Sequence, residues 1–505
     1  MTLDYLIIGA GPAGLQLGAL LEADGDSDYL ILEAADAPGA FFRTFPRHRQ
    51  LISINKPHTG TTDPELNLRL DWNSLLSDQG PLFTGYTNRY FPDADVMVRY
   101  LADFAAKTGV RIRHNARVTH IRKDGDEFVV TAGADELRAR RVVMATGVSR
   151  MSIPDISGIE LAERYDTMST DPDDFTDQRV LILGKGNSAF ETADALIETT
   201  TLIHVAGPHE LKLAWRTHFV GHLRAVNNNF LDTYQLKSAN AILDGTVRSI
   251  VRDGDEFVVT FAFSRVDEVI KQLRYDRVLA CTGFAFDASI FDESCRPALA
   301  IDDRFPEQSP AWESVSVPGL YFAGTITQQR DFKKSTSGFI HGFRYAVRAL
   351  HKTLHQRYGN KPWPATSIVA TPEKISDAII TRVNRSSALW QQFGFLADVI
   401  LPDGSYLEEM PVAMFHDQHR DGLVVTLEYG PDHDQVDPFD ITVSRIAQDT
   451  PGQAHDAAYL HPVVRHYRDG ELAGTHHLAE NLENRWDRPD VHVAPLTAFL
   501  ARTLP

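Results

Sequence analysis

The fold is decided by the stretch Asp4-Tyr5-Leu6-Ile7-Ile8-Gly9-Ala10-Gly11-Pro12-Ala13-Gly14 near the start of the chain. Its apolar run predicts a buried strand that ends at Gly9, and the residues from Pro12 to Leu21 predict a helix. Glycines 9, 11 and 14 have the spacing that places a dinucleotide pyrophosphate on a helix N-terminus. Glu33 follows the apolar run 29–32 and lies nineteen residues after Gly14, where an acid accepts hydrogen bonds from an adenosine ribose.

The composition excludes several classes of protein. A chain of 505 residues with 43% apolar residues is long enough for two or three globular domains. The formal net charge of −18 argues against a nucleic-acid surface and against binding to an anionic membrane. Two cysteines, Cys281 and Cys295, without a C-x-x-C motif exclude a disulfide scaffold and a dithiol redox pair.

No targeting segment and no membrane span are predicted. The apolar runs are shorter than the ~18–20 residues that a span needs. The first predicted strand follows Met1 almost at once, so we expect no signal peptide and a cytoplasmic location.

One architecture occurs twice in the chain. The eight residues 124–131, DGDEFVVT, recur unchanged at 253–260, and each copy is followed by a strand that ends in Thr-Gly, at Gly147 and at Gly283. The second copy opens at 179–191 with a strand, a glycine turn at Gly184 and Gly186, and a helix in which Ala189 replaces the third glycine. The sequence therefore predicts two dinucleotide-binding units.

The two copies differ in a long insertion. From Gly9 to Asp124 is 115 residues and from Gly184 to Asp253 is 69, so the first copy carries 46 more residues. They fall near residues 41–95, which keep neither a helical nor a strand period. Loops this long in a compact domain are usually functional. We expect the insertion to cover the first cofactor's reactive ring and the substrate; a surface excursion that touches no ligand is the alternative.

Two dinucleotide units that face each other suggest FAD with a nicotinamide nucleotide, because one cofactor can then deliver hydride to the other. The first copy, with Glu33, suits FAD. In the second copy no acid stands where a ribose 2′-hydroxyl would need one after the strand 202–206, whereas the cations Lys212 and Arg216 follow that strand. These cations weakly favour the 2′-phosphate of NADPH; solvated helix residues are the alternative for both, and Glu210 leaves NADH open.

The chain returns to the first unit after Gly283. Residues 317–325 predict a short strand, and a helix is predicted from Gly338 to His355. Its N-terminus at Ser337, Gly338 and Phe339 would offer backbone N–H groups to a reduced flavin. The FAD domain is therefore expected to be discontinuous.

The prolines around 361–364 mark a boundary. Beyond it, residues 373–401 predict mostly helix and residues 422–430 predict a strand. The histidine pairs 416/419 and 476/477 lack a clean ligand set, so we predict no metal site.

The predicted class is α/β, with two Rossmann-like dinucleotide-binding domains of three-layer ββα/α type and a smaller α+β C-terminal region. The predicted boundaries are 1–165 and 291–360 for the two parts of the FAD-binding domain, 166–290 for the NAD(P)H-binding domain and 361–505 for the C-terminal region. The predicted cofactor-binding residues are Gly9, Gly11, Pro12, Ala13, Gly14, Glu33, Arg43, Val118, Thr146, Gly147, Gly184, Gly186, Asn187, Ser188, Ala189, Lys212, Arg216, Gly324, Ser337, Gly338 and Phe339.

The motif Gly184-Lys185-Gly186-Asn187-Ser188-Ala189 is similar to the nicotinamide motif of the flavin-containing monooxygenase branch of two-dinucleotide flavoproteins. A closer resemblance is to the FAD-dependent oxidoreductase domain-containing family, as a bacterial-type relative of its animal member, an endoplasmic-reticulum flavoprotein associated with degradation. It is carried by residues 45–49, 54–56, 71–76, 232–238, 334–335 and 338–345.

The resemblance implies FAD binding and NADPH use. The animal members carry a signal peptide and a retention tail; because this chain starts at its first strand and ends in Leu504-Pro505, we do not expect their degradation role here. The monooxygenase branch has an F-x-G-x-x-x-H fingerprint, whereas this chain has Ile156-Ser157-Gly158 and Ala162 in place of the histidine. The resemblance therefore implies flavin reduction more directly than oxygenation.

Three functions follow as hypotheses. In the first, NADPH reduces FAD and the reduced flavin reacts with oxygen, through a hydroperoxide, to oxidise a small organic substrate. Asn55 and Lys56 are predicted to face the ring, and Asp331 and Lys333 are further catalytic candidates; salt-bridged loop residues are the alternative for each. The second hypothesis is an NAD(P)H-dependent reductase that passes electrons to another acceptor. The third is a flavin-stabilised interaction protein, and a homodimer is compatible with all three.

Overall fold

The computed structural model describes residues 2–236, 239–264, 269–431, 433, 435–437, 440–442 and 449–504. Lys237 and Ser238, which contribute to the family resemblance, and Met1 and Pro505 lie outside the described residues. Two mixed seven-stranded sheets and one antiparallel six-stranded sheet organise the described part. This arrangement confirms the predicted α/β class with two Rossmann-like units and a further α+β region.

The first copy contains six strands and four helices. Their bounds are β1 (Thr2–Ile8), α1 (Pro12–Asp24), β2 (Tyr29–Leu32), α2 (Ala40–Thr44), α3 (Pro64–Leu70), α4 (Ala94–Thr108), β3 (Ile112–Arg113), β4 (Val118–Asp124), β5 (Glu127–Ala132) and β6 (Asp135–Met144). In the sheet order β3-β2-β1-β6-β5-β4, β1 pairs in parallel with both β2 and β6. The insertion thus forms α2 and α3 between β2 and α4.

The second copy repeats this plan. Its elements, with two short strands that precede them, are β7 (Arg150–Met151), β8 (Glu163–Arg164), β9 (Arg179–Leu183), α5 (Asn187–Leu196), β10 (Leu202–Gly207), α6 (Ala214–Thr217), α7 (Asn229–Gln235), β11 (Ala241–Asp253), β12 (Glu256–Phe263), β13 (Ile270–Tyr275) and β14 (Arg277–Ala280). The repeated octapeptide forms the same hairpin turn in both copies, with Gly125 and Gly254 each at φ 64°. Identical local sequence therefore gives identical local structure.

The segment after β14 brings the chain back to the first sheet. It contains β15 (Phe284–Ala285), β16 (Leu299–Ala300), β17 (Phe305–Pro306), β18 (Leu320–Phe322) and α8 (Ile340–Tyr358). β18 pairs in parallel with β6, Leu320 opposite Val142. The helix begins two residues later than predicted, because Phe339 has extended backbone and serves as its N-cap.

The C-terminal region is an antiparallel sheet with helices on it. It comprises β19 (Ala365–Ser367), α9 (Pro372–Arg385), α10 (Ser387–Gln391), β20 (Leu396–Ile400), β21 (Ser405–Pro411), α11 (Val412–Gln418), β22 (Gly422–Glu428), β23 (His461–Arg468), β24 (Glu471–His477) and α12 (Ala494–Thr503). The prediction of helix up to Leu401 was wrong for 396–400. All five residues of β20 are buried, so the segment lacks the alternation that marks a strand.

No helix in the described part of the chain is both long and apolar enough to span a bilayer.

Two glycines of the first turn are required by close backbone contacts. Gly9 has φ +106°, and a Cβ there would lie 2.8 Å from the carbonyl oxygen of Ala145. A Cβ at Gly14 would lie 2.0 Å from the carbonyl oxygen of Gly9. The helix α1 therefore packs on the turn at a distance that only glycine permits.

We expect Gly14→Ala to lower the thermal midpoint of the apoprotein, although alanine is the better helix former by about 1 kcal/mol. The clash with Gly9 should outweigh that gain and cost about 3 kcal/mol or more. Gly11→Ala is the matched control, because a Cβ at Gly11 meets no atom within 4 Å. Equal midpoints for the two variants in differential scanning calorimetry would contradict the expectation.

Candidate active site

Both glycine turns leave a helix N-terminus free to receive an anion. The N-caps of α1 and α5 are Gly11 and Gly186, and neither helix has a side-chain cap or an acid in its first turn. A Cβ at either glycine would meet nothing within 4 Å. Unpaired N–H groups, a positive helix end and open space fit a pyrophosphate at each turn.

Glu33 is buried at the end of β2 and is held by the backbone. Its Oε2 accepts from Ala10 N at 2.8 Å, and its Oε1 accepts from Ala35 N at 2.8 Å. This fixes the carboxylate beside the first glycine turn, where a ribose would lie. Val118 begins β4 two residues after Ala116, whose N–H donates to Glu33 O at 2.8 Å.

A cavity of about 390 Å³, here called the inner cavity, joins the two turns. Its lining combines residues of the first copy, the second copy, the insertion and the segment before α8. The predicted cofactor-binding residues among its lining are Gly11, Pro12, Ala13, Thr146, Gly147, Asn187, Ser188, Gly324, Gly338 and Phe339. Gly9, Gly14, Gly184, Gly186 and Ala189 belong to the two turns without lining the cavity. Arg43 instead pairs with Asp36, Nη1 to Oδ1 at 2.6 Å.

The insertion reaches the inner cavity with other residues than predicted. Asn55 is buried and its Nδ2 donates to Thr87 O at 2.8 Å and Arg89 O at 3.2 Å, so its amide holds a neighbouring loop. Lys56 is exposed. Neither lines the inner cavity, whereas residues 50–53 and Trp72 do. The placement of Asn55 and Lys56 thus does not support a role at the ring.

The segment before α8 also differs from expectation. Ser337 N donates to Asp331 Oδ2 at 3.0 Å, and Phe339 N donates to Thr336 O at 3.0 Å. Two of the three N–H groups predicted to face a flavin are therefore already bonded within the protein. Asp331 and Lys333 lie instead on a second cavity, here called the outer basin.

Lys212 and Arg216 line the outer basin as well. Besides Glu210, the structure places a second acid near the end of β10 that the local sequence did not show. In the structure Gly207 is in register with Asp244 of β11, and that carboxylate pairs with Lys185. Because this contact depends on strand pairing between distant residues, the local sequence could not show it.

Glu191 is a titratable group on the inner cavity that the sequence analysis missed. It is buried, and its carboxylate accepts a short hydrogen bond from the hydroxyl of Tyr165, which also lines the cavity. Burial raises the pKa of Glu191 to about 7 because the charged form loses its hydration. Its position four residues after Asn187, on the same helix face, is the signal that could have identified it.

Arg224 is the second missed residue. Among the described residues that line the inner cavity, it is the one Lys or Arg. Its Nη1 donates to Ile52 O at 2.9 Å, and its backbone N–H donates to Asn187 Oδ1 at 3.0 Å. The guanidinium lies 5.4 Å from the ring centre of Trp72, which in turn stacks on His341 at 4.0 Å. A cation is thereby fixed between the insertion and the second copy.

One group in the described part of the chain brings three metal-ligand atoms together. His351 Nε2 and His355 Nε2 lie 2.6 and 2.9 Å from the same oxygen of Asp24. Ligand atoms around a tetrahedral ion with bonds near 2.0 Å are roughly 3.3 Å apart. These shorter distances are those of hydrogen bonds and ion pairs.

The raised pKa of Glu191 predicts a pH-dependent stability. Because the folded-state pKa, about 7, exceeds the value of 4.5 that a fully hydrated glutamate has, the stability that Glu191 contributes is present below the unfolded pKa and is lost as pH rises through 7. The loss is about 3 kcal/mol. We expect Glu191→Gln, which cannot ionise, to lose less stability than the unmodified chain between about pH 5 and about pH 8.

Chemical denaturation of the apoprotein at a series of pH values measures this difference. Glu198→Gln is the control, because Glu198 is exposed just beyond the same helix. Parallel pH profiles for Glu191→Gln and the unmodified chain would contradict the assignment.

Residues 6–324 match the pyridine nucleotide-disulphide oxidoreductase family. Over 99% of its length the chain is 39% identical to FAD-dependent oxidoreductase domain-containing protein 2 of Mus musculus, 84% of which is covered. In solved structures, 71% of the chain resembles a bacillithiol disulfide reductase from Staphylococcus aureus, all of which is covered, with 18% identity and a TM-score of 0.55. A flavin-containing monooxygenase from Stenotrophomonas maltophilia, 99% covered, matches 70% of the chain with 20% identity and a TM-score of 0.54.

The two structural matches show a shared fold with two dinucleotide-binding units. Because one matched protein is a reductase and the other a monooxygenase, the matches do not identify the reaction of this chain. The sequence match covers the insertion and the C-terminal region as well. It confirms the predicted family, the oxidoreductase class and the pairing of FAD with a pyridine nucleotide. The chain belongs to the FAD-dependent oxidoreductase domain-containing family, and it is an FAD-dependent oxidoreductase.

Proposed function

We propose that the chain is an NADPH-dependent flavin oxygenase, whose inner cavity would hold FAD and NADPH together and which would use oxygen to oxidise a small organic substrate. The observation that carries this proposal is that the first turns of α1 and α5 line one cavity, through Gly11–Ala13 and Asn187–Ser188. Two dinucleotides bound at these turns would meet there. When bound, FAD supplies hydride acceptance and reactivity toward oxygen.

Separate groups of residues would bind the two dinucleotides. The turn from Gly9 to Gly14 and the free N–H groups of α1 would receive the FAD pyrophosphate, and Glu33 would receive the ribose. The corresponding turn at Gly184 and Gly186 would receive the pyridine nucleotide. The Asp244 carboxylate, which would favour NADH if it were free, is paired with Lys185, and this pairing favours NADPH.

The walls of the inner cavity are largely aromatic. Phe45 stacks on Tyr165 with ring centres 5.6 Å apart and meets Phe284 edge-on at 5.1 Å. On the other side Trp72 stacks on His341. An apolar aromatic enclosure strengthens electrostatic interactions inside it and protects reactive species from hydrolysis.

Arg224 provides a positive charge in the inner cavity, and Glu191 provides a carboxyl group that can hold or release a proton. Negative charge that develops in the cavity during reduction and oxygen reaction would be stabilised by the guanidinium of Arg224. Glu191, whose pKa is about 7, can hold or release a proton at its carboxylate near neutral pH, and Tyr165 orients it. These roles replace those that the sequence suggested for Lys56 and Asn55.

The cysteines support this reading over exchange with a disulfide. Cys281 and Cys295 are both buried and belong to different hydrophobic clusters. Burial raises the pKa of Cys281 to about 12, and a thiol that stays protonated is a poor nucleophile. The chain thus supplies no dithiol relay of its own.

The decisive experiment is anaerobic reduction followed by oxygen. We expect NADPH to bleach the flavin absorbance of the holoenzyme and to do so faster than NADH. Admission of oxygen should then give a transient absorbance band distinct from oxidised flavin. Bleaching without such a band would support an NAD(P)H-dependent reductase, and no bleaching at all would support a flavin-stabilised interaction protein.

We expect Arg224→Gln to slow the reaction of the reduced enzyme with oxygen about 10- to 100-fold, because it removes the cation of the inner cavity. Stopped-flow absorbance after oxygen mixing measures the rate. Lys56→Gln is the matched control, since Lys56 is exposed, and its rate should equal that of the unmodified enzyme. A slow Lys56→Gln and a normal Arg224→Gln would restore the assignment that the sequence suggested.

A further inference from the structure

The outer basin, which holds Lys212 and Lys333, is larger than the inner cavity. Its volume is about 910 Å³. Residues 210–222 of the second copy form one wall, residues 330–335 form a second, and residues 393–395 and 428–431 of the C-terminal region form a third. The outer basin therefore exists because the C-terminal region packs beside the two dinucleotide units.

Among the described residues that line the outer basin, cations outnumber acids. Its cations are Lys212, Arg216, Arg330, Lys333 and Lys334. Of the described residues that line it, three are acids: Glu210, Asp331 and Glu428. Glu428 is already paired with Arg465, Oε2 to Nη2 at 2.8 Å. Asp331 is buried, and burial raises its pKa to about 7.

Four of these cations have no counter-ion among the described residues. Within the described part of the chain, Lys212, Arg216, Lys333 and Lys334 form no ion pair with a carboxylate. Burial, together with the charges of Lys212 and Arg304, lowers the pKa of Lys333. A group of unpaired like charges in a chain of net charge −18 repels itself and attracts an anion.

The outer basin and the inner cavity both border a third, smaller cavity. A cavity of about 100 Å³, here called the neck, shares His218, Phe219 and Ser335 with the outer basin. It shares Trp72, Val220 and His341 with the inner cavity. The three cavities are therefore neighbours with shared walls, from the outer basin to the place where the two dinucleotides would meet.

The walls of these cavities contain aromatic rings and unpaired polar atoms. Phe219 lies 6.0 Å from Phe339, and Phe339 stacks on His341 at 5.7 Å between ring centres. Asp331 and Ser335 are each 4% exposed, and Asp331 Oδ1 and Ser335 Oγ have no hydrogen-bond partner within the described residues. Buried polar atoms without partners are rare and indicate a missing ligand or water.

We propose that the outer basin is the entrance for the substrate and that it selects a small aromatic molecule with a carboxylate. The carboxylate would lie at Lys212 and Lys333, and the aromatic end would enter the neck toward the inner cavity. This inference rests on the proposed function, because it names the substrate class for that site.

The test compares phenylacetate with its neutral isostere phenylacetamide by isothermal titration calorimetry on the full-length, FAD-loaded protein. We expect saturable binding of phenylacetate that is about 10-fold tighter than that of phenylacetamide. Lys333→Gln should weaken phenylacetate binding about 10-fold and leave phenylacetamide unchanged. Equal affinities of acid and amide, or no saturable binding of the acid, would overturn the proposal.

Two further variants keep the test specific. Lys212→Gln should weaken phenylacetate in the same way as Lys333→Gln, so that the result does not depend on one substitution. Lys271→Gln removes an equal charge from the exposed strand β13 and should leave both affinities unchanged. A loss of phenylacetate binding in Lys271→Gln would reduce the effect to net charge and overturn the proposal.

The 2′-phosphate of NADPH is another anion that these cations could receive, and steady-state kinetics distinguish it. If the outer basin serves the substrate, Lys333→Gln keeps the ratio of KM for NADPH to KM for NADH. A rise of about 10-fold in KM for NADPH alone would assign Lys333 to the cofactor and overturn the proposal. Failure of the proposed oxygenase reaction appears separately, as the missing absorbance band after oxygen, and does not alter the calorimetric result.

Discussion

A buried guanidinium holds together the parts that surround the inner cavity. Arg344 of α8 has no exposed surface, and it donates to the carbonyls of Leu68, Asp71 and Ser74 at 2.7 to 2.9 Å. Hydrogen bonds to a charged group contribute about 1.5–3 kcal/mol each, and a buried cation that lost them would cost several kcal/mol. The insertion is therefore fixed on the helix that follows the segment predicted to face the flavin.

A second arginine extends this arrangement to the C-terminal region. Arg69 of α3 donates to Val383 O and Ser386 O, the carbonyls at the end of α9, at 2.9 and 3.2 Å. In return Gln391 donates to Arg69 O at 2.8 Å. The insertion thus lies between α8 and the C-terminal helices, and its Trp72 is held against His341. The insertion thereby links the wall of the inner cavity to the C-terminal region, which forms one wall of the outer basin.

The features that could be predicted are those that depend on local sequence alone. The glycines at 9, 11 and 14, the acid at 33 and the repeated octapeptide each require one backbone conformation, so their spacing indicated both dinucleotide units. The length of the insertion revealed its position but not its contacts. No local pattern shows that Trp72, and not Asn55, lines the inner cavity. Glu191 and Arg224 depend on which helix face and which loop meet across two copies. The strand 396–400 was misread because it is buried on both sides.

The two dinucleotide turns differ by one methyl group. Position 14 cannot hold a Cβ without meeting the carbonyl oxygen of Gly9, whereas the equivalent position 189 carries one and is fully buried. The two turns of the duplicated architecture are therefore not interchangeable, because the first helix lies too close to its own turn to accept the side chain that the second one carries.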